Sequence, residues 1–418
     1  MRVAVMSVGS HGDVAPFTGL GHGLAQAGHD VTLVTHARFA PLAAAAGIGF
    51  HALPVDPYAE LHSAHGRALH DCATGAGKLL KLVSLARRLL AEMADDLLQA
   101  AQSHDLLLLS GSLGPLGHTI AEGLGLPSRG VYLQPLSATG EFPPPVVGTR
   151  SCGTTGNRLA GRAVSAAVES VFADTARDLR SRLGLPRLSS QAARRARERQ
   201  NWPIHHGFSS LVVPRPHDWR TGLSISGYWW PYVPPQPLPS LLTDFLAAGA
   251  PPVFVGLGSA TVPDPERLSR AVVRALRRAG LRGVIQRGWG GLHAEDDDML
   301  TIDDVPHSTL FPKMAAVIHH AGAGTTAAGL RAGVPAVPVP IQFDAAFWAR
   351  RLTSLGVAPG PVPLRGFASA ALTDALRKVT TDPSYRQRAE HLAGRLRAED
   401  GTRPVLAAVN RIAAGERA

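Results

Sequence analysis

Residues 316–341, AVIHHAGAGTTAAGLRAGVPAVPVPI, constrain the fold more than any other part of the chain. The apolar run from Ala316 to His319 suits the end of a buried strand. A loop of small residues, Gly322-Ala323-Gly324-Thr325-Thr326, opens a helix expected from about Thr325 to Ala332. Gly333 fits the helix C-terminus, Pro335 prevents its continuation, and a second apolar run follows. Asp344 closes the segment beside two aromatics, at the expected C-terminal end of the next strand, where open α/β sheets bind ligands.

Small residues let backbone approach an anion closely. The free N–H groups and positive dipole end of the helix favour a phosphate. His320 and Thr325 or Thr326 add side-chain donors. A diphosphate at the helix and a hydroxyl-rich group at Asp344 suit this layout. No Lys-Ser/Thr pair ends the loop, so it is not a P-loop. Taken alone, Gly-x-Gly also fits a tight strand-to-helix turn that binds nothing.

The first half alternates strand and helix signals. Residues 3–8, 29–35, 47–53, 105–110 and 129–134 read as buried strands of a parallel sheet. A helical stretch is expected from about Ala160 to Leu183. Polyproline segments mark 216–250 as the linker between an N-terminal domain, 1–215, and a C-terminal domain, 251–400. The second half opens with PPVFVGLGSAT, the same strand-to-glycine-loop device that opens the first. Helix 265–279 and strands 282–286 and 299–302 follow, and a terminal helix is expected over 383–415. The fold class is α/β.

A chain of 418 residues suits two domains of roughly 200 each. The net charge of +10 is carried by arginine, with only four lysines. Its densest patch, Arg194 to Arg199, carries no aromatic and reads as a solvated helix face, which argues against a nucleic-acid partner. Two cysteines, Cys72 and Cys152, cannot build a disulfide framework, and the expected setting is reduced and cytoplasmic. The start lacks the flanks of a signal peptide, and no 18-residue apolar run predicts a membrane span, so no stable membrane insertion is expected. Lys78 to Ala101 carries Leu79, Leu82, Val83, Ala86, Leu90, Met93 and Leu97 on one stripe, as a core helix would. His62, His65 and His70, and the pair His205-His206, do not make a four-ligand metal set.

The whole string from His319 to Trp348 resembles the donor-site signature of nucleotide-sugar-dependent glycosyltransferases of the two-domain GT-B fold, in the branch of bacterial natural-product and sterol glycosyltransferases. Four further stretches match in order: SVGSHGDVAPFTGLG at 7–21, VFVGLGS at 253–259, QRGWGGL at 286–292 and DDVPHSTLFPKMAAVIHH at 303–320. The resemblance covers nearly the full chain and is weakest from about 55 to 105 and 145 to 200. It implies two Rossmann-like domains facing a cleft, with a terminal helix, 401–418, returning to the first.

It also implies roles. Asp13 is the candidate base for an acceptor hydroxyl, where many relatives carry a catalytic histidine, and His11 would assist or orient the acceptor. Asp13 also fits the N-cap of a helix starting near Val14, a position that lowers an aspartate pKa and weakens it as a base. Residues 111–121 contain no acid, so the His–Asp dyad of many relatives is absent. His320, Gly322, Gly324 and Thr325 would hold the diphosphate, with Ser259 facing the same cleft. Val305 would bracket the nucleobase, Arg287 and Trp289 would line its pocket, and Asp344 would hold sugar hydroxyls. Gln134, Ser137 and Phe142 are candidate acceptor-lining residues. No metal or cofactor is implied beyond the nucleotide sugar itself.

Two departures stand at the sugar end: Ala345 replaces the usual Gln and Phe343 the common Gly. Loss of an amide should relax selectivity for a fully hydroxylated hexose and admit a deoxyhexose. The expected activity is inverting transfer of a hexose or deoxyhexose from a UDP- or dTDP-sugar to a lipophilic alcohol such as a polyketide, macrolide or sterol. Two alternatives stay open, a non-catalytic activator of a partner transferase and a glycolipid-building enzyme at a membrane surface. A dinucleotide oxidoreductase fails on the first loop, where GSHGD replaces Gly-x-Gly-x-x-Gly.

Overall fold

The computed structural model describes residues 1–56, 75–260, 262–364 and 367–416, without the side chains of 75–82. The acceptor-side residues 57–74, with His62, His65, His70 and Cys72, lie outside the described residues.

Two parallel sheets carry the fold. The first contains β1 (Arg2–Met6), β2 (Asp30–His36), β3 (Gly49–Leu53), β4 (Leu106–Leu109), β5 (Ser128–Tyr132), β6 (Ile204–His206) and β7 (Leu223–Ile225), in the order β3-β2-β1-β4-β5-β6-β7. The second contains β8 (Val253–Gly256), β9 (Gly283–Gln286), β10 (Met299–Ile302), β11 (Ala316–His319) and β12 (Ala336–Pro338), in the order β10-β9-β8-β11-β12. Helices cover both faces, so the central strands are apolar on both sides; β4 is four leucines, all buried.

Strand order reverses between β1 and β4 in the first sheet and between β8 and β11 in the second. The chains leaving the C-terminal ends of those strands diverge to opposite sides and leave a crevice. Each crevice is framed by loops the sequence had marked: Ser7–Ser10 after β1, Leu257–Ala260 after β8, and His320–Gly322 after β11.

The helices among the described residues are α1 (His11–Gln26), α2 (Ala40–Ala45), α3 (Gly75–Gln102), α4 (Gly114–Leu124), α5 (Gly153–Val171), α6 (Ala173–Arg182) and α7 (Ser190–Arg199) in the first half. In the second half they are α8 (Ser240–Ala247), α9 (Pro265–Arg278), α10 (His307–Leu310), α11 (Ala323–Ala332), α12 (Ala345–Ser354), α13 (Ser369–Thr381), α14 (Pro383–Arg397) and α15 (Thr402–Ala413). On α3 the expected stripe is buried at Leu90, Met93 and Leu97.

Several expected boundaries move. The stretch expected from Ala160 to Leu183 is two helices, α5 and α6, meeting at Phe172, which is buried in the core. The terminal helix is also two, because Glu399-Asp400-Gly401 turns the chain between α14 and α15 and delivers the Gly401 carbonyl to Trp229 Nε1 at 2.8 Å. The segment 216–250 holds β7, an edge strand of the first sheet, and α8. Its polyproline part bridges the two sheets. Arg197 is not on a solvated face: it is buried and ion-paired with Glu169 of α5.

The two halves share one continuous apolar core, which joins Met93, Leu97 and Phe208 to Phe254, Phe311 and Trp348. A second link is α15, whose Val405 and Val409 are buried with Val3, Phe17 and Leu20 of the first domain. Each such fully buried side chain is worth roughly 1.5–3 kcal/mol, so this return helix fixes the domains' mutual placement.

Candidate active site

Asp13 occupies the third position of α1, not the cap. The helix starts at His11, three residues earlier than expected, and Ser10 caps it. Ser10 gives both its backbone N–H and its hydroxyl to Asp13 Oδ2, each at 2.9 Å. This is the reciprocal half of a capping box. The Gln134 amide points at the same carboxylate and favours its charged form. Against these stands desolvation at the cleft floor, which is the larger effect and raises the Asp13 pKa above the usual aspartate value. A helix N-terminus alone would lower it; burial outweighs that effect, and the carboxylate becomes a better base rather than a worse one.

The loop before Asp13 is shaped to it. Gly9 has φ +141°, and an added Cβ there would stand 2.5 Å from Asp13 Oδ2. Any other residue would displace the carboxylate. The Gly9 N–H donates to His36 Nε2 at 3.1 Å. His11, the first residue of α1 and two before Asp13, is exposed. Desolvation lowers its pKa, while Asp304 pulls it up and Arg38 pushes it down. Asp304 belongs to the second domain, so the cleft is a shared electrostatic space.

On the opposite wall, α11 begins at Ala323 with Gly322 as its cap residue, and no side chain occupies that cap. The first turn therefore presents free N–H groups beside half-buried Thr325 and exposed Gly324. His320 stands against this turn: a Cβ on Gly322 would lie 2.4 Å from His320 Nε2. Burial holds the His320 pKa at about 4, so the ring is neutral near pH 7. His320 Nδ1 is buried and without a partner among the described residues. His319, fully buried, instead accepts the Ala321 N–H at Nδ1 and stabilises the loop. Ala321 itself has φ +62°, a left-handed turn that swings the chain from β11 into α11.

Ser259 is half-buried in the loop after β8. The Trp289 N–H donates to the Gly258 carbonyl at 3.0 Å, which brings the loop after β9 onto that after β8. The Arg38 guanidinium of the first domain lies 5.5 Å from the Trp289 ring centroid, a cation–π contact across the cleft. Arg287 is exposed and bonds Asp303 through Nε at 3.2 Å. Val305 is half-buried just before α10, on which His307 stacks against Phe311 at 4.3 Å.

Asp344 lies six residues beyond β12 and caps α12, later than the strand-end position expected. It accepts from Trp348 Nε1 at 2.6 Å. Desolvation raises its pKa, and the charge of Asp13 raises it further. The helix of Asp13 packs against α11, so the two carboxylates, one from each domain, share the same cleft. Ala345 has its methyl buried in the core. Phe343 is 70% exposed at φ +51°. Phe142 packs on Phe347 of α12 at 5.3 Å, Arg350 bonds the Thr149 carbonyl, and Ser137 is half-buried beside Gln134 in the loop after β5. The expected acceptor loop is therefore seated against α12, the helix that Asp344 caps. His205 and His206 lie apart, buried in β6, with Nδ1 of His206 donating to the Ser224 carbonyl at 2.9 Å.

Residues 3–132 match the glycosyltransferase family 28 N-terminal domain, and residues 289–412 match the C-terminal domain of erythromycin biosynthesis protein CIII-like proteins. The chain is 35% identical to the O-mycaminosyltylonolide 6-deoxyallosyltransferase of Streptomyces fradiae, over 96% of its own length and 95% of that protein's. It belongs to the GT-B glycosyltransferases. A sterol 3-beta-glucosyltransferase of Arabidopsis thaliana is 32% identical over 96% of this chain, which spans 64% of that longer protein. Among solved structures, the spinosyn forosaminyltransferase superposes with a TM-score of 0.71 at 16% identity, covering 99% of both chains. The kitacinnamycin glycosyltransferase gives 0.70 at 18% identity, covering 98% of both. These structural likenesses show the fold.

In this glycosyltransferase, sequence reasoning missed two neighbours of Asp13. His36 ends the alternating strand β2 and reads there as an ordinary polar position. The place could have marked it, since a polar residue at the C-terminal end of a strand beside the switch point is where such sheets bind ligands. Gln134, an expected acceptor-lining residue, reaches Asp13 instead, and no local sequence signal marks that contact. No helix among the described residues is long and apolar enough to cross a membrane.

Proposed function

We propose that the chain catalyses single-displacement, inverting transfer of a sugar from a nucleoside-diphosphate donor to a hydroxyl of a lipophilic small molecule. The observation that carries this reading is one cleft that holds the Ser10-anchored carboxylate of Asp13, the Trp348-anchored carboxylate of Asp344 and the uncapped start of α11. Asp13 takes the acceptor's proton as the hydroxyl oxygen attacks the anomeric carbon from one face. The bond to the diphosphate oxygen breaks on the other face and its electron pair leaves with the diphosphate. The α11 amides, His320 and Thr325 meet the charge that develops there, without needing a metal ion. Asp344 holds sugar hydroxyls, and Val305, Arg287 and Trp289 frame the nucleobase.

The donor fits a deoxyhexose on dTDP or UDP better than a fully hydroxylated hexose. At the sugar end, Ala345 is buried and offers no amide, while Phe343 exposes an apolar ring. The 6-deoxyallosyltransferase relative acts, by its name, on O-mycaminosyltylonolide, and the plant relative on sterols. Both support a bulky apolar alcohol here. Calorimetry with UDP, dTDP, UDP-glucose and dTDP-deoxysugars tests the reading. Tighter binding of a dTDP-deoxysugar is expected. A strong preference for UDP-glucose defeats the deoxysugar assignment, and no binding to any of them defeats the transferase reading and favours a non-catalytic activator.

A further inference from the structure

His36 takes no part in the transfer, yet it is fully buried directly behind the base. Its Nε2 accepts the Gly9 N–H at 3.1 Å, so its Nδ1 must carry the proton that goes to the Val55 carbonyl. Both ring nitrogens are thus committed in one tautomer. The peptide that His36 holds is the one packed against Asp13 Oδ2, and the next residue, Ser10, supplies both hydrogen bonds to that oxygen. On its far side, Val55 precedes Asp56, which pairs with Arg38 at 3.7 Å, the residue that reaches over Trp289. A shift of the Gly9 peptide would move the donors that orient the carboxylate. A shift of Val55 would be passed to Gly9 through a rigid ring.

We propose that His36 is a positioning residue for Asp13: as the neutral Nδ1–H tautomer it clamps the Gly9 turn to the exit of β3 and so fixes where the carboxylate stands. This rests on the reading of Asp13 as the base. A histidine present only to fill space would not need its Nε2 acceptor, and that difference can be read. In H36Q the amide oxygen reaches the place of Nε2 and keeps an acceptor for Gly9. In H36N the amide nitrogen takes the place of Nδ1, keeping the Val55 bond and losing the Gly9 one.

The assay is release of nucleoside diphosphate from UDP-glucose or dTDP-glucose, whichever binds more tightly, with water as acceptor, so no natural acceptor is required. H36N should lower kcat by roughly tenfold to a hundredfold, the scale set by small displacements of a reacting group. H36Q should recover most of that loss, and the donor KM should stay constant in both. Equal kcat in the two variants, or a change confined to KM, overturns the clamp. D13N run beside them separates the two readings. An undiminished D13N removes the base and the clamp with it, whereas an inactive D13N beside an undiminished H36N removes the clamp alone. If a variant folds poorly, nitrogen-15 NMR of the ring nitrogens in the wild-type chain decides independently. An Nδ1–H tautomer at His36 supports the clamp, and an Nε2–H tautomer or a doubly protonated ring at pH 7 overturns it.

Discussion

Trp348 Nε1 donates to Asp344 Oδ2 at 2.6 Å, from one turn further along the helix that Asp344 caps. The indole is fully buried, so the carboxylate it holds cannot swing away from the cleft without leaving a buried N–H unpaired. A residue meant for sugar hydroxyls is therefore oriented before any sugar arrives. Trp348→Phe keeps most of the packing and removes the donor. Nucleotide-sugar affinity should fall by about tenfold or more, in line with roughly 1.5–3 kcal/mol for a hydrogen bond to a charged group. Affinity for the bare nucleoside diphosphate should be unchanged, since Asp344 meets only the sugar. Paired titrations of the two ligands check this, and an equal loss for both would place Trp348 in the scaffold alone.

Asp13→Asn removes the base while keeping shape and the acceptor for Ser10. General-base catalysis contributes about 10² to 10⁴-fold, and kcat should fall by that amount with donor affinity retained. The pH profile gives a second reading. Asp13 must be ionised to act, and burial raises its pKa above the ordinary aspartate value. The rate should thus rise with pH through that raised pKa, with an acid limb lying higher than a solvated aspartate would give. In Asp13→Asn this limb should vanish from whatever activity remains.

The parts of this molecule that depend on local order were legible in the sequence. The turn Ala321–Gly324, the αL Gly333 and both switch-point loops announce themselves through small residues and apolar periodicity. So does the buried stripe Leu90, Met93 and Leu97. What escaped depends on distant partners. The sign of the Asp13 pKa turned on its burial, which outweighs its local hydrogen bonds to Ser10. The roles of His36 and Gln134 turned on which strand ends are neighbours in the sheet. The break at Phe172 and the burial of Arg197 against Glu169 came from tertiary packing that overrode helical periodicity. The short strands β6 and β7, three residues each, are too brief to show a pattern.

His320 should make diphosphate binding depend on pH. Burial holds its pKa at about 4 in the free protein, so it is neutral at pH 7. A diphosphate beside it favours the imidazolium and raises that pKa in the complex. Binding then takes up a proton. Affinity is greatest at low pH, weakens as pH rises towards the pKa of the complex, and is flat above it. Calorimetry with UDP in buffers of different ionisation enthalpy measures the uptake directly. His320→Gln should abolish it and cost about 1.5–3 kcal/mol of binding at the acid end, the scale of a charge-assisted hydrogen bond. Unchanged proton uptake in the variant would move the effect to His11 or His307.

Phe343 sets stability against selectivity. Its φ of +51° lies in the left-handed region, which costs a residue with a Cβ roughly 1–2 kcal/mol. With 70% of its surface exposed, it recovers little of that by burial. Strain kept without a packing return is the mark of a position held for ligand contact. Phe343→Gly should raise stability by about 1 kcal/mol in denaturant unfolding, because glycine accepts this backbone freely. The same change removes the exposed ring at the sugar end of the cleft. Discrimination in favour of a dTDP-deoxysugar over UDP-glucose should shrink by about tenfold, the scale of a small apolar contact in a specificity pocket. A variant that is more stable with its donor preference intact would show that the ring does not meet the sugar.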